Sequence, residues 1–112
     1  MDCVFCKIAN KELPSTAVYE DEKIIIFKDL EPATPVHILA IPKKHIESAN
    51  EINSSNSQII SHIFEVIAEK SNEFGLKDGY RIVNNCGKDG GQTVPHLHFH
   101  ILGGKTMGWP PV

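Results

Sequence analysis

The sequence predicts an α+β domain, a sheet of five strands with one long and one short helix on one of its faces. Three observations carry that expectation: five short apolar runs are set off by turn residues, one stretch holds helical periodicity, and 112 residues suffice for one compact core but hardly for two. Residues 1–112 therefore read as a single domain.

Taken in order, residues 6–11 form a short first helix, which Pro14 stops. The apolar runs 17–20 and 23–28, separated by Asp21 and Glu22, read as a hairpin. Residues 29–36 are a loop, because Pro32 and Pro35 have no N–H to give to a ladder. Residues 37–41 make a third strand, closed by Pro42. From Gln58 onward, Ile59, Ile60, Ile63, Phe64 and Ile67 recur at helical spacing, behind a polar start at 54–57 and before Gly75. This is the long helix. Residues 80–83 and 97–102 supply the last two strands, with the glycine-rich stretch 87–91 between them.

Composition narrows the function. A net charge of −3 with scattered Lys and Arg provides no basic field, so a nucleic-acid partner is not expected. No window approaches the roughly 20 apolar residues of a membrane span, and the start Met1-Asp2-Cys3-Val4-Phe5-Cys6 lacks the basic, then long apolar pattern of an export signal. The chain reads as soluble and cytoplasmic, with no membrane partner. Three cysteines, an odd number, argue against a disulfide scaffold and leave Cys3 and Cys6 as thiols or metal ligands. Cys86 reads as a small buried side chain, and His62, off the apolar stripe of the long helix, as a solvated surface residue.

The run His96-Leu97-His98-Phe99-His100-Ile101 alternates with period two. On a strand, three imidazoles would share one face while Leu97, Phe99 and Ile101 pack on the other. One exposed histidine on a strand is ordinary; three in register point to chemistry. Neutral imidazole is nucleophilic near neutral pH, and its phosphorus adduct is labile enough for a second, hydrolytic step. Attack requires the other ring nitrogen to be held as a donor, which a carbonyl of the same strand can do. Upstream, Gly87-Lys88-Asp89-Gly90-Gly91-Gln92-Thr93 brings glycine amides and the Thr93 hydroxyl to where anionic oxygens would sit. Taken alone this loop is an ordinary turn; leading into three histidines, it becomes the oxyanion contributor of the same site.

The stretch from Gly91 to Gly104, Gly-Gln-Thr-Val-Pro-His-Leu-His-Phe-His-Ile-Leu-Gly-Gly, resembles the signature of the histidine triad family. Cys3-Val4-Phe5-Cys6-Lys7-Ile8, the run from His37 to Ile46, and Trp109-Pro110-Pro111 are similar to its Hint branch, the histidine triad nucleotide-binding proteins. The resemblance implies a five-stranded antiparallel sheet, a homodimer with a continuous sheet across its interface, and purine nucleoside phosphoramidase activity on an AMP-like substrate. By motif position, it implies that His98 attacks the α-phosphorus to give a nucleotidyl-histidine, that Asn85, Thr93 and His100 contact the phosphate, and that His37 supports the triad. It further implies that Asp29 takes the ribose hydroxyls and that Phe5, Ile8, Phe27 and Leu30 line the base pocket, with plain core packing an equal reading for Phe27 and Ile8. Thr93 stands where many relatives have Ser, and Pro95 where some have an aromatic residue.

Cys3 and Cys6, with His45 and His96 far along the chain, make a Cys2His2 set whose two thiolates would balance Zn²⁺ in a closed structural site. Members of the family with this Cys-x-x-Cys start bind zinc through such residues. Other functions stay open: hydrolysis by a metal held on His96, His98 and His100, dinucleoside polyphosphate hydrolysis, and nucleotide binding without turnover.

Overall fold

The computed structural model describes residues 3–111; residues 1, 2 and 112 lie outside it. The elements are α1 (Val4–Ala9), β1 (Ala17–Glu20), β2 (Ile24–Lys28), β3 (Val36–Pro42), α2 (Ser57–Lys70), β4 (Tyr80–Val83) and β5 (Phe99–Gly103), with one 3₁₀ turn at Ala49–Glu51. The strands form a single sheet in the order β1-β2-β3-β5-β4. Every neighbouring pair is antiparallel.

The two helices lie on opposite faces of this sheet, not on one as the sequence predicts. Alternate side chains explain why. Ile24, Ile26, Ile38, Ala40, Phe99 and Ile101 pack with Ile63, Val66 and Ile67 of α2, whereas Ile25, Phe27, Leu39 and Ile41 pack with Cys3, Phe5, Ile8 and Ala9 around α1. Strand β2 is therefore buried on both sides from Ile24 to Phe27 and reads as an unbroken apolar run. Each Ile or Phe so enclosed contributes about 1.5–3 kcal/mol through removal from water.

Helix α1 begins two residues before the predicted start because Cys3 caps it: its Sγ accepts the Cys6 N–H at 3.3 Å. The helix ends at Ala9 rather than at Lys11, which stands in the left-handed region at φ 64°. At the first hairpin, Asp21 Oδ1 accepts the N–H groups of Lys23 and Ile24 at 2.8 and 3.0 Å and fixes the turn. His62 is not merely solvated. From α2 it reaches Asp21 Oδ2 at 2.6 Å, beside the Tyr19 hydroxyl at 2.8 Å.

The last strand begins at Phe99, two residues later than predicted. His96, Leu97 and His98 approach it as irregular backbone, tied down where Leu97 N–H donates to Ile46 O at 2.6 Å.

Candidate active site

His37 sits opposite Leu102 in the β3–β5 register, two positions from the Leu39–His100 pair, so both imidazoles emerge on the α1 face. Their rings stand 5.1 Å apart, and His98 lies 5.1 Å from His100 on the other side. His37, His98 and His100 are the three that converge. His96 keeps the face expected of it, its ring 6.0 Å from Phe5 on the α1 side while Leu97 packs with Phe99 and Ile101 on the other, but its Nδ1 is turned into the Cys3, Cys6 and His45 group rather than toward His98.

The hydrogen bonds define the proton positions. His98 Nδ1 lies 2.7 Å from the carbonyl of His96. A carbonyl only accepts, so the His98 proton is on Nδ1 and the lone pair is on Nε2. A carbonyl close in sequence holds this ring as expected, but from the irregular stretch before β5 rather than from the strand itself. At His37 the polarity is reversed: Ala33 N–H donates to Nδ1 at 2.9 Å, which puts the proton of the neutral ring on Nε2, 2.9 Å from His100 Nδ1. His100 then accepts on Nδ1 and carries its own proton on Nε2. Burial pushes His100 below the ordinary imidazole value, with His98 and His37 adding to the shift and Asp29 opposing it. The ring is neutral near pH 7 and a donor at Nε2.

Asp29 stands at the head of this chain, with Oδ2 3.4 Å from His37 Nε2 and Oδ1 accepting Glu31 N–H at 2.8 Å. Asp29, His37 and His100 bring together a donor set of the kind that holds a cation. The geometry does not fit one, because the Nε2 of His37 carries a proton and has no lone pair to offer. Nor do His96, His98 and His100 point to a common ion.

His96 is fully buried, and its Nε2–H donates to Pro42 O at 2.8 Å. Its Nδ1 lone pair faces Cys3 Sγ at 3.3 Å, Cys6 Sγ at 3.5 Å and His45 Nδ1 at 3.2 Å, while Cys6 Sγ lies 3.2 Å from His45 Nδ1. All four ligand atoms lie within 4.8 Å of one another. Zn–S near 2.3 Å and Zn–N near 2.0–2.1 Å imply tetrahedral edges of about 3.3–3.8 Å, so the residues present fit such an ion. Without a cation, burial holds the Cys6 thiol up at about 11 and the His96 imidazole down at about 4.

The remaining expected residues divide. Phe5 meets Phe27 edge-on at 5.7 Å and His98 at 5.0 Å, and Ile8 is buried in the same cluster. Leu30 does not join them, being 95% exposed. Asn85 donates through Nδ2 to Gly90 O at 2.7 Å, so it braces the glycine loop. Gly90 cannot be anything larger, since a Cβ there would meet Cys86 O at 2.4 Å. Thr93 is exposed and lines, with Ser48, Lys88 and Gly91, a cavity of about 480 Å³. Cys86 is half-buried rather than buried.

Three contributors escape sequence reasoning. Asn84 donates to His98 O at 2.9 Å, fixing the backbone of that histidine. The Ala33 amide and the Pro42 carbonyl set the tautomers of His37 and His96. The Asn84-Asn85 pair after the fourth strand is the only visible hint of the first; backbone groups leave no trace in residue types.

Residues 2–109 match the family model described as scavenger mRNA decapping enzyme C-term binding. An uncharacterised HIT-like protein of Synechococcus elongatus is 43% identical over 110 residues, 98% of this chain and 96% of that one. Among solved structures, a histidine triad protein from Clostridium difficile superposes with a TM-score of 0.92 at 53% identity, covering 96% of this chain and 95% of its own. A HIT family hydrolase from Clostridium thermocellum gives 0.95 at 51%, covering 99% and 97%. One from Legionella pneumophila gives 0.95 at 45%, covering 99% and 100%.

Proposed function

Because the chain belongs to the histidine triad family, we propose that it is a nucleotide hydrolase or transferase of the Hint branch that cleaves the phosphorus–nitrogen bond of purine nucleoside 5′-phosphoramidates. The observation that carries this reading is the 2.7 Å contact of His98 Nδ1 with His96 O, which commits the ring proton and leaves Nε2 as a nucleophile.

In the first step Nε2 attacks the α-phosphorus, the P–Nε2 bond forms as the P–N bond breaks, and the amine leaves with a proton taken from solvent. Water then displaces His98 and releases AMP, its oxygen going to phosphorus and a proton returning to solvent, so that the two steps together add one water across the P–N bond. His100 Nε2–H donates to a phosphoryl oxygen whose charge grows in both steps, and His37 holds His100 in that tautomer. The amides of residues 88–90 and the Thr93 hydroxyl take the remaining oxygens, those of Gly87 and Gly91 being held by Gln92 Oε1 and Lys88 O. Asp29 accepts from the ribose hydroxyls, and Phe5, Phe27 and Ile8 form the apolar wall toward the base.

In the same reading, Cys3, Cys6, His45 and His96 hold a zinc ion that cross-links the N-terminal segment to the histidine segment and takes no part in the reaction. Four protein ligands leave it no open position. Residues 1–112 act as one domain, in the cytoplasm, as a homodimer in which one of the edge strands, β1 or β4, pairs with a second copy. Incubation with adenosine 5′-phosphoramidate tests the activity: release of AMP supports it. Release of AMP only from a diadenosine polyphosphate, or binding without turnover, overturns it.

A further inference from the structure

Gln92 lies between the glycine loop and the histidine segment, and its side chain is fully engaged. Nε2 donates to Glu47 O at 2.8 Å and to Val94 O at 3.0 Å, while Oε1 accepts the Gly87 N–H at 3.0 Å. Its own N–H returns to Gly87 O at 3.0 Å, closing the 87–91 loop on itself. One primary amide thus joins three segments: the loop, the stretch just after His45, and the residues leading into His96.

The stretch at 46–47 is also what anchors the histidine segment, since Ile46 O accepts the Leu97 N–H one residue before His98. Glu47 O, the next carbonyl, receives Gln92. The loop and His98 are therefore referenced to the same two consecutive carbonyls. We propose that Gln92 is a positioning residue that sets the distance between the loop amides and His98 Nε2, holding a bound phosphoryl group in line with the nucleophile. Asn85 braces the far side of the loop at Gly90, and Gln92 fixes the near side. Gln92 is half-buried, outside both apolar clusters, so its role is not that of a core residue. The proposal rests on the reading of His98 as nucleophile.

The test uses the full chain with Gln92→Met, which keeps length and loses every polar atom, and Gln92→Glu, which keeps the acceptor for Gly87 and sets a carboxylate against two carbonyls. Misplacement of a reacting group by about 1 Å costs roughly 10²-fold, so kcat on adenosine 5′-phosphoramidate should fall about that far in Gln92→Met. KM should stay within about threefold, because ribose and base contacts are untouched. Thermal stability should barely change. Gln92→Glu should be no better than Gln92→Met. In an amide NMR titration with AMP, the Gly91 and Thr93 signals should shift in wild type and respond far less in Gln92→Met. Unchanged kcat with wild-type loop shifts in Gln92→Met would overturn the proposal, as would a rate loss matched by loss of folded protein. Failure of the wild type itself to release AMP would count against the His98 reading instead, and the loop shifts alone would then judge Gln92.

Discussion

His96 and His98 stand two residues apart and occupy opposite chemical situations. His96 gives its Nε2 proton to Pro42 O and turns Nδ1 toward two thiols and His45. His98 gives its Nδ1 proton to His96 O and keeps Nε2 free for a substrate. The difference teaches that imidazole identity is not enough: the carbonyl each ring meets selects the tautomer, and the tautomer selects the task. In the proposed reading one ring is a metal ligand and the other a nucleophile beside the His37–His100 pair.

The largest effect that sharpens this contrast is on rate. His98→Asn should lower phosphoramidate turnover by on the order of 10³-fold or more while leaving AMP affinity and thermal stability nearly intact, because the amide fills the space but cannot form the P–N adduct. His100→Asn, which removes a donor rather than the nucleophile, should cost about 10²–10³-fold. Steady-state kinetics beside equilibrium AMP binding would show both. Equal losses in the two variants would blur the assigned roles.

On the His96 side the balance should invert. Cys3→Ser with Cys6→Ser should abolish stoichiometric metal and remove several kcal/mol, at about 4 °C of melting temperature per kcal/mol for a domain of this size. The rate per folded molecule should fall much less. Metal analysis and calorimetry decide it; a chelated protein that keeps its fold and loses its turnover would break the division of labour.

A smaller effect concerns the sugar. If Asp29 receives the ribose hydroxyls, a 2′-deoxy substrate forfeits one charge-assisted hydrogen bond, about 1.5–3 kcal/mol or roughly 10- to 150-fold in kcat/KM. Equal specificity for both sugars would confine Asp29 to orienting His37.

The smallest effect belongs to a third histidine. Burial would raise the Asp21 carboxyl, but hydrogen bonds from His62, Lys23, Tyr19 and Ile24 outweigh it and hold the group well below the usual carboxylate range. A depressed folded pKa means stability present above the unfolded value near 3.9 and lost as pH falls toward the folded one. Asp21→Asn should therefore cost about 1 kcal/mol at neutral pH, given partial screening, and flatten the acid limb of a stability–pH curve. An unchanged acid limb would show that His62 and Asp21 meet without consequence.

Much of this was legible in the residues. The continuous apolar run of β2, the helical spacing from Ile59 to Ile67 and the proline-interrupted loop before His37 place all but the ends of the elements. The start of α1 escaped because Cys3 is an unusual cap, and the start of β5 because period-two alternation at 96–98 coincides with irregular backbone. The alternation did place His96, His98 and His100 on one face, and the residue types assigned His96 to a separate set, but the direction in which each ring turns was not legible. Leu30 and Asn85 show the other limit. Motif position gives a residue's neighbourhood, not whether it packs, braces or stands in solvent.

The central claim is that the His98 Nε2 lone pair forms the bond to phosphorus. Rapid quenching of wild type with adenosine 5′-phosphoramidate under acid-free conditions, followed by peptide mass spectrometry, tests it directly. An AMP adduct on the peptide containing His98, absent from His98→Asn, is the expected result. Full turnover by His98→Asn, or an adduct on another histidine, would contradict it.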